Sequence, residues 1–172
     1  HKYFADEKLK FKSKYEIYTY PKSSFYRRST HLINPINYYY LSKELVDNWQ
    51  DIDKHFKKNK FSISVVRNPK RNSKRLTRSS PLSFEKEKII RSSGYPIVLI
   101  TDITSFYQSI YTHSIAWALH TKETAKKNRN NKLLGNIIDT LIRNAQHEQT
   151  IGIPIGCDTS EIVSEIIGVS ID

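Results

Sequence analysis

One stretch constrains the fold more than any other: Val98-Leu-Ile-Thr-Asp-Ile-Thr-Ser-Phe-Tyr-Gln-Ser-Ile110. Its apolar, β-branched run at 97–100 reads as a buried strand, and a single acid, Asp102, stands at the tip. A carboxylate so placed either binds a hard cation such as Mg²⁺ without being sunk in the core, or caps the helix that follows. Phe106, Ile110, Ala116 and Leu119 recur at roughly helical intervals and predict one helix over 105–121.

On the N-terminal side, Tyr15-Glu-Ile-Tyr-Thr-Tyr20 alternates as a strand, Pro21-Lys-Ser-Ser24 makes a turn, and 27–33 resumes a strand, which together predict a hairpin. A helix is predicted over 36–48, a charged connector over 51–60, an alternating strand over 61–65 and a basic, Ser-rich loop over 68–80. A short helix over 83–92 precedes the Gly94-Tyr-Pro96 turn. Leu133, Ile137, Ile138, Leu141 and Ile142 define an amphipathic helix reaching Gln146, with Asn144-Ala-Gln-His147 as its ordinary surface. The glycine-punctuated turn Gly152-Ile-Pro-Ile-Gly156 then runs into a further amphipathic helix, which Thr159 and Ser160 are placed to cap.

Charge narrows the partners. A net charge of +11 and a pI near 9.6 are large for 20.2 kDa, and polyanions are the natural counterpart. The mean hydropathy of −0.58 and the want of any run approaching the roughly eighteen apolar residues of a spanning helix argue against a membrane partner. The chain is therefore expected to be cytoplasmic. One cysteine, Cys157, rules out an internal disulfide framework and a thiolate zinc cluster within these residues, and reads as a small side chain packed beside the turn.

Two segments in combination resemble reverse transcriptases. Asp102 with Phe106-Tyr107 resembles that family's first palm motif, and Gly152-Ile-Pro-Ile-Gly156 followed by Thr159-Ser160 resembles its second. The similarity is greatest to the prokaryotic abortive-infection, or defence-associated, subgroup, through 109–120 and the Leu134-Gly-Asn-Ile-Ile-Asp139 stretch. Two departures stand out: Ile155 where retroviral, retron and group II intron enzymes usually have Gln, and Cys157 where the subgroup often has Pro.

The resemblance implies an α+β right-hand polymerase: fingers over 1–92, with 122–148 returning to them, and a palm over 93–121 and 149–172. The chain begins at His1 and stops at Asp172, ahead of the Tyr-x-Asp-Asp hairpin with which the family continues. It also contains no Asp-Asp pair. The thumb and two further metal-binding carboxylates are accordingly expected beyond Asp172.

In such enzymes two Mg²⁺ ions about 4 Å apart, replaceable by Mn²⁺, activate the attacking hydroxyl and neutralise the triphosphate. Asp102 and the backbone carbonyl of Ile103 would hold metal. Tyr107 would lie beneath the incoming sugar and exclude a 2′-hydroxyl, with Phe106 turned into the palm. Gly152, Pro154, Ile155 and Gly156 would touch the templating base and the incoming nucleotide. Arg27, Arg28, Lys70, Arg71, Lys74 and Arg75 are the cations available for its phosphates. His113, Trp117 and His120 are assigned structure rather than chemistry.

The expected function is thus RNA-directed or template-independent DNA synthesis from dNTPs onto a 3′-hydroxyl or a protein hydroxyl, in antiphage defence. Expected partners are an RNA template or non-coding RNA, the DNA product and further copies of the chain. The competing expectation is a nucleic-acid-binding module that keeps the polymerase shape without the chemistry; an assembly or toxin component is a third.

Overall fold

The structure, a computed structural model, describes residues 9–59, 61–63, 66, 80–128 and 132–171. It is mixed α+β, with one two-stranded antiparallel sheet and eight helices among the described residues. Strand β1 (Glu16–Pro21) pairs with β2 (Arg27–Leu32) in the register Glu16↔Leu32 to Pro21↔Arg27, giving the predicted hairpin. Helix α1 (Pro35–Asp47) starts where Asn34 Oδ1 accepts the Ile36 N–H and proline fills the first helical position. Helices α2 (Trp49–Phe56), α3 (Pro81–Ser92), α4 (Phe106–Ser109), α5 (Ser114–His120), α6 (Lys122–Lys127), α7 (Leu134–Asn144) and α8 (Asp158–Gly168) follow.

One apolar cluster organises these pieces. Leu41 and Leu45 of α1, Ile52 and Phe56 of α2, Ile115 of α5, Ile138, Leu141 and Ile142 of α7, and Ile162, Val163 and Ile166 of α8 meet in it, almost fully buried. Helices α5 and α7 cross at very short range because position 135 is glycine: a Cβ there would sit 2.5 Å from the Ala116 Cα. The Gly135 N–H also donates to His120 Nε2 at 3.1 Å, so His120 completes that crossing.

The 51–60 segment departs from its reading as a connector. It contains most of α2, whose Ile52, His55 and Phe56 are buried, because three residues at helical spacing suffice to seat a helix even when charges surround them. His55 Nε2 donates to the Ile166 carbonyl at 2.9 Å and joins α2 to α8. Residues 61–63 are not a strand, and 64–65 lie outside the described residues. The single helix predicted over 105–121 is two: α4 ends at Ile110, whose extended backbone (φ −60°, ψ 123°) leads to a bridge between Tyr111 and Ile151 before α5 begins.

The largest departure concerns 97–100. These residues form no strand, and Ile97, Val98, Leu99 and Ile100 are 84%, 55%, 86% and 79% exposed. β-Branched composition favours extended backbone, but a strand persists only where a neighbour takes up its N–H and C=O groups, and no described residue does so. Helix α3, which feeds this segment, also buries no residue. No helix among the described residues is long and apolar enough to cross a membrane.

Three imidazoles, His31, His55 and His120, have pKa values lowered by burial. The unfolded chain therefore takes up protons that the folded chain refuses. Stability is intact above the unfolded-state value near 6.5 and is lost as pH falls from there through the lowered folded-state values. Urea unfolding at pH 7.5 and pH 5 is expected to show a lower midpoint in acid, and histidine titrations followed by NMR should give these three rings midpoints below the ordinary imidazole value near 6.5.

Candidate functional site

The segment that follows Asp102 and the glycine-flanked turn are joined by backbone hydrogen bonds. Ile153 N–H donates to the Tyr107 carbonyl at 2.9 Å, Gly152 N–H to the Ile110 carbonyl at 2.7 Å, and Thr112 N–H to the Thr150 carbonyl at 2.9 Å. The break between α4 and α5 exists to make this ladder, since continuous helix would consume the 107 and 110 carbonyls internally. Gln146, only 3% exposed, fixes the approach to the turn: its Nε2 donates to the carbonyls of Gln149 at 2.7 Å and Gly152 at 2.9 Å.

Position 146 is thus a clamp and not helix surface. Asn144 and Ala145 are buried as well: Asn144 donates from Nδ2 to the Leu9 carbonyl and accepts the Ser13 N–H at its own carbonyl, while the exposed His147 donates its backbone N–H to the Ser13 carbonyl. The signal available in the sequence was a run of amides after the last apolar helix position, where buried backbone at a loop has to be satisfied by side chains.

The other side of the turn is fastened to the hairpin. His31 N–H donates to the Ile155 carbonyl at 2.8 Å, and Ile155 N–H donates to His31 Nδ1 at 3.2 Å. That second bond requires a neutral ring with its proton on Nε2, consistent with burial lowering the pKa; Tyr15 stacks on the ring at 4.0 Å between centroids. Gly156 takes φ +101°, and a Cβ there would run into Thr30 Cγ2. The glycine admits strand β2, where the sequence suggested that it admits a ligand.

These attachments close a cleft of about 920 Å³ lined by Arg27, Arg28, Asp102, Phe106, Tyr107 and Ile155 of the expected site, together with Lys22, Tyr26 and Gln108, which sequence reasoning missed. Lys22 had a signal in its place on the hairpin turn. Of the turn residues only Ile155 lines this cleft; Gly152 lies against the Gln108 carbonyl and Pro154 is buried. Ile103 borders a separate apolar groove that it shares with Phe106. Lys70, Arg71, Lys74 and Arg75 lie outside the described residues.

Within the cleft the two arginines differ. Arg27 is committed to the neighbouring strand: its Nε donates to Thr19 Oγ1 at 2.8 Å and its Nη2 to the Thr19 carbonyl at 2.7 Å. Arg28 shares a strand face with Thr30, the residue against Gly156, so it stands on the side toward the turn, exposed. Tyr107 is half-buried and anchored by a 3.1 Å hydrogen bond between its hydroxyl and Ser164 Oγ of α8. Phe106 packs edge-on against it at 6.1 Å and also lines the cleft wall.

Asp102 is exposed, and its Oδ1 accepts the Ile103 N–H at 2.9 Å. Ser105, in the left-handed region at φ 53°, turns the chain between this acid and α4. No cluster of three or more His, Cys, Asp or Glu side chains occurs among the described residues. Asp102 alone therefore fits as one hard oxygen ligand of a Mg²⁺ ion that keeps most of its waters, and does not by itself complete a pair of sites. Thr159 and Ser160 do not cap α8: Cys157 stands at the cap position, and both residues are buried in the first turn, with Ser160 Oγ 3.2 Å from Cys157 Sγ.

Compared with known proteins, the chain matches no protein-family model and no curated sequence.

Gln146→Leu is expected to cost about 1–3 kcal/mol, because the carbonyls of Gln149 and Gly152 lose the buried amide that donates to both. Gly156→Ala is expected to cost a similar amount from the strained φ and the collision with Thr30. Chemical denaturation measures both. Adding Thr30→Ser to Gly156→Ala removes the colliding methyl and should restore part of the loss.

Proposed function

We propose that the chain carries the nucleotide-binding part of a reverse-transcriptase-type DNA polymerase acting in antiphage defence. The observation that supports this most is the single cleft in which one exposed acid, Asp102, faces three cations, Lys22, Arg27 and Arg28, beside an anchored aromatic, Tyr107. A polyanion needs the cations, and a metal-assisted reaction needs the acid next to them and not among them.

In the proposed reaction a 3′-hydroxyl, or a protein hydroxyl, attacks the α-phosphorus of a dNTP; a new P–O bond forms as the bond to pyrophosphate breaks, and the hydroxyl proton leaves to solvent. Magnesium held by the Asp102 carboxylate and the Ile103 carbonyl would supply Lewis acidity at the phosphate. Arg28, whose guanidinium makes no hydrogen bond or ion pair among the described residues, binds the phosphates; Arg27, bonded to Thr19, keeps the hairpin in place for it. The Tyr107 ring, held from behind by Ser164, forms a rigid wall under the sugar, and its bulk excludes a 2′-hydroxyl. Ile155 offers the template only its side chain, because its N–H and carbonyl are engaged by His31.

One observation favours a second reading, a binding module without chemistry: Asp102 is the only acid lining the cleft among the described residues. Primer extension by the protein with Mg²⁺ and dNTPs, with and without an RNA template, separates the two. Incorporation that falls at least a hundredfold in Asp102→Asn supports the polymerase; nucleic-acid binding with no incorporation supports the module. Under the polymerase reading, Tyr107→Ala should admit ribonucleotides while Tyr107→Phe keeps the discrimination, because the ring and not the hydroxyl does the excluding. Arg28→Ala should lower the salt slope of single-strand affinity by about 0.7, whereas Arg27→Ala should lower the melting temperature as well.

A further inference from the structure

A second cavity of about 450 Å³ opens between α5, α6 and α7 and shares no lining residue with the Asp102 cleft. That volume falls within the ~300–1,000 Å³ range of small-molecule sites. On its floor Asp139, 5% exposed, accepts a 2.7 Å hydrogen bond from His113 Nδ1 and faces Arg143 Nε at 3.3 Å. The latter pair is close but not aligned: Asp139 Oδ1 and Arg143 Nε are both buried without a hydrogen-bond partner. Both residues stand on α7, four positions apart, so this pair fastens no second helix, and Gly135 and Ala116 already bring α5 and α7 together.

The arrangement instead leaves polar groups of His113 and Arg143 lining the cavity. Asp139 fixes the orientation of both groups, and the side chains of His113 and Arg143 remain 37% and 25% exposed. Lys126, exposed on α6, adds a further cation at the cavity. Two aromatic rings, Tyr111 and Trp117, complete the lining at 5.6 Å from each other, and the Lys122 ammonium lies 5.0 Å from the Trp117 ring centre. Cations beside an aromatic surface match an anion that carries a ring.

We infer that this cavity is a separate nucleotide-binding site, taking the phosphates of a nucleoside di- or triphosphate on Arg143 and Lys126 and its base on the Tyr111–Trp117 surface. With Nδ1 donating to Asp139, a neutral His113 keeps Nε2 as an acceptor for a ribose hydroxyl or a base amine. The inference stands on this cavity alone and does not depend on the polymerase reading.

Equilibrium dialysis of the whole protein against labelled ATP, adenosine and tripolyphosphate, in EDTA to silence metal-dependent binding elsewhere, tests it. Saturable ATP binding is expected, tighter than that of adenosine or tripolyphosphate and weakened about tenfold by Lys126→Ala or Arg143→Gln. Arg143→Gln deprives a buried carboxylate of its partner; should that variant fail to fold, Lys126→Ala, at an exposed position, decides alone. Absence of saturable ATP binding overturns the inference. So does ATP binding that survives Lys126→Ala and is lost in Arg28→Ala, which assigns the nucleotide to the Asp102 cleft, or tripolyphosphate binding as tight as ATP, which leaves a plain anion site.

Discussion

The short backbone ladder between 107–112 and 150–153 is the constraint on which the rest of this molecule depends. Three N–H···O=C bonds fasten a helix break to a loop, and neither partner would hold its shape without the other. Each such bond contributes on the order of 1 kcal/mol net, but an orphaned buried donor costs more than that, so the arrangement is closer to all-or-none than to a sum. Because the loop is also bonded through Ile155 to His31, the ladder transmits its position to the hairpin and hence to Arg28. The spacing of cation, acid and aromatic across the cleft is therefore a property of main-chain hydrogen bonding, with side chains added to a frame already set.

Elements whose own residues carry their partner were legible from sequence. The β1–β2 hairpin needs only itself, and α1, α7 and α8 show their buried faces as periodic apolar positions. What escaped was whatever depends on a distant segment. Helix α2 hides three buried positions among charges, and its His55 is explained only by a carbonyl 111 residues away. The helix break at Ile110 follows from Ile151, which local propensity knows nothing about. The cleft residues of the first motif were found because composition and order announce them, whereas Gln146 and His31 act on backbone atoms of other segments, and a side chain that serves a backbone leaves no spacing to recognise.

The two cavities use the same residue types to opposite effect. In the cleft the acid is exposed and apart from its cations, free to meet a ligand of its own. In the α5–α7 cavity the acid is buried and serves to orient His113 and Arg143. Whether a carboxylate acts as a ligand or as a holder is decided by its burial, and a list of residue types conceals that difference.

The bare apolar stretch at 97–100 sets a condition on how this protein behaves in bulk. Four consecutive exposed aliphatic side chains, with no strand partner among the described residues, form an adhesive edge, the kind through which chains stack into aggregates. A net charge of +11 opposes that contact by keeping molecules apart. The repulsion reaches about 10 Å at 0.1 M ionic strength and about 3 Å at 1 M. Colloidal behaviour is thus governed by salt, and polyanions that quench the charge locally become the agents that bring these edges together.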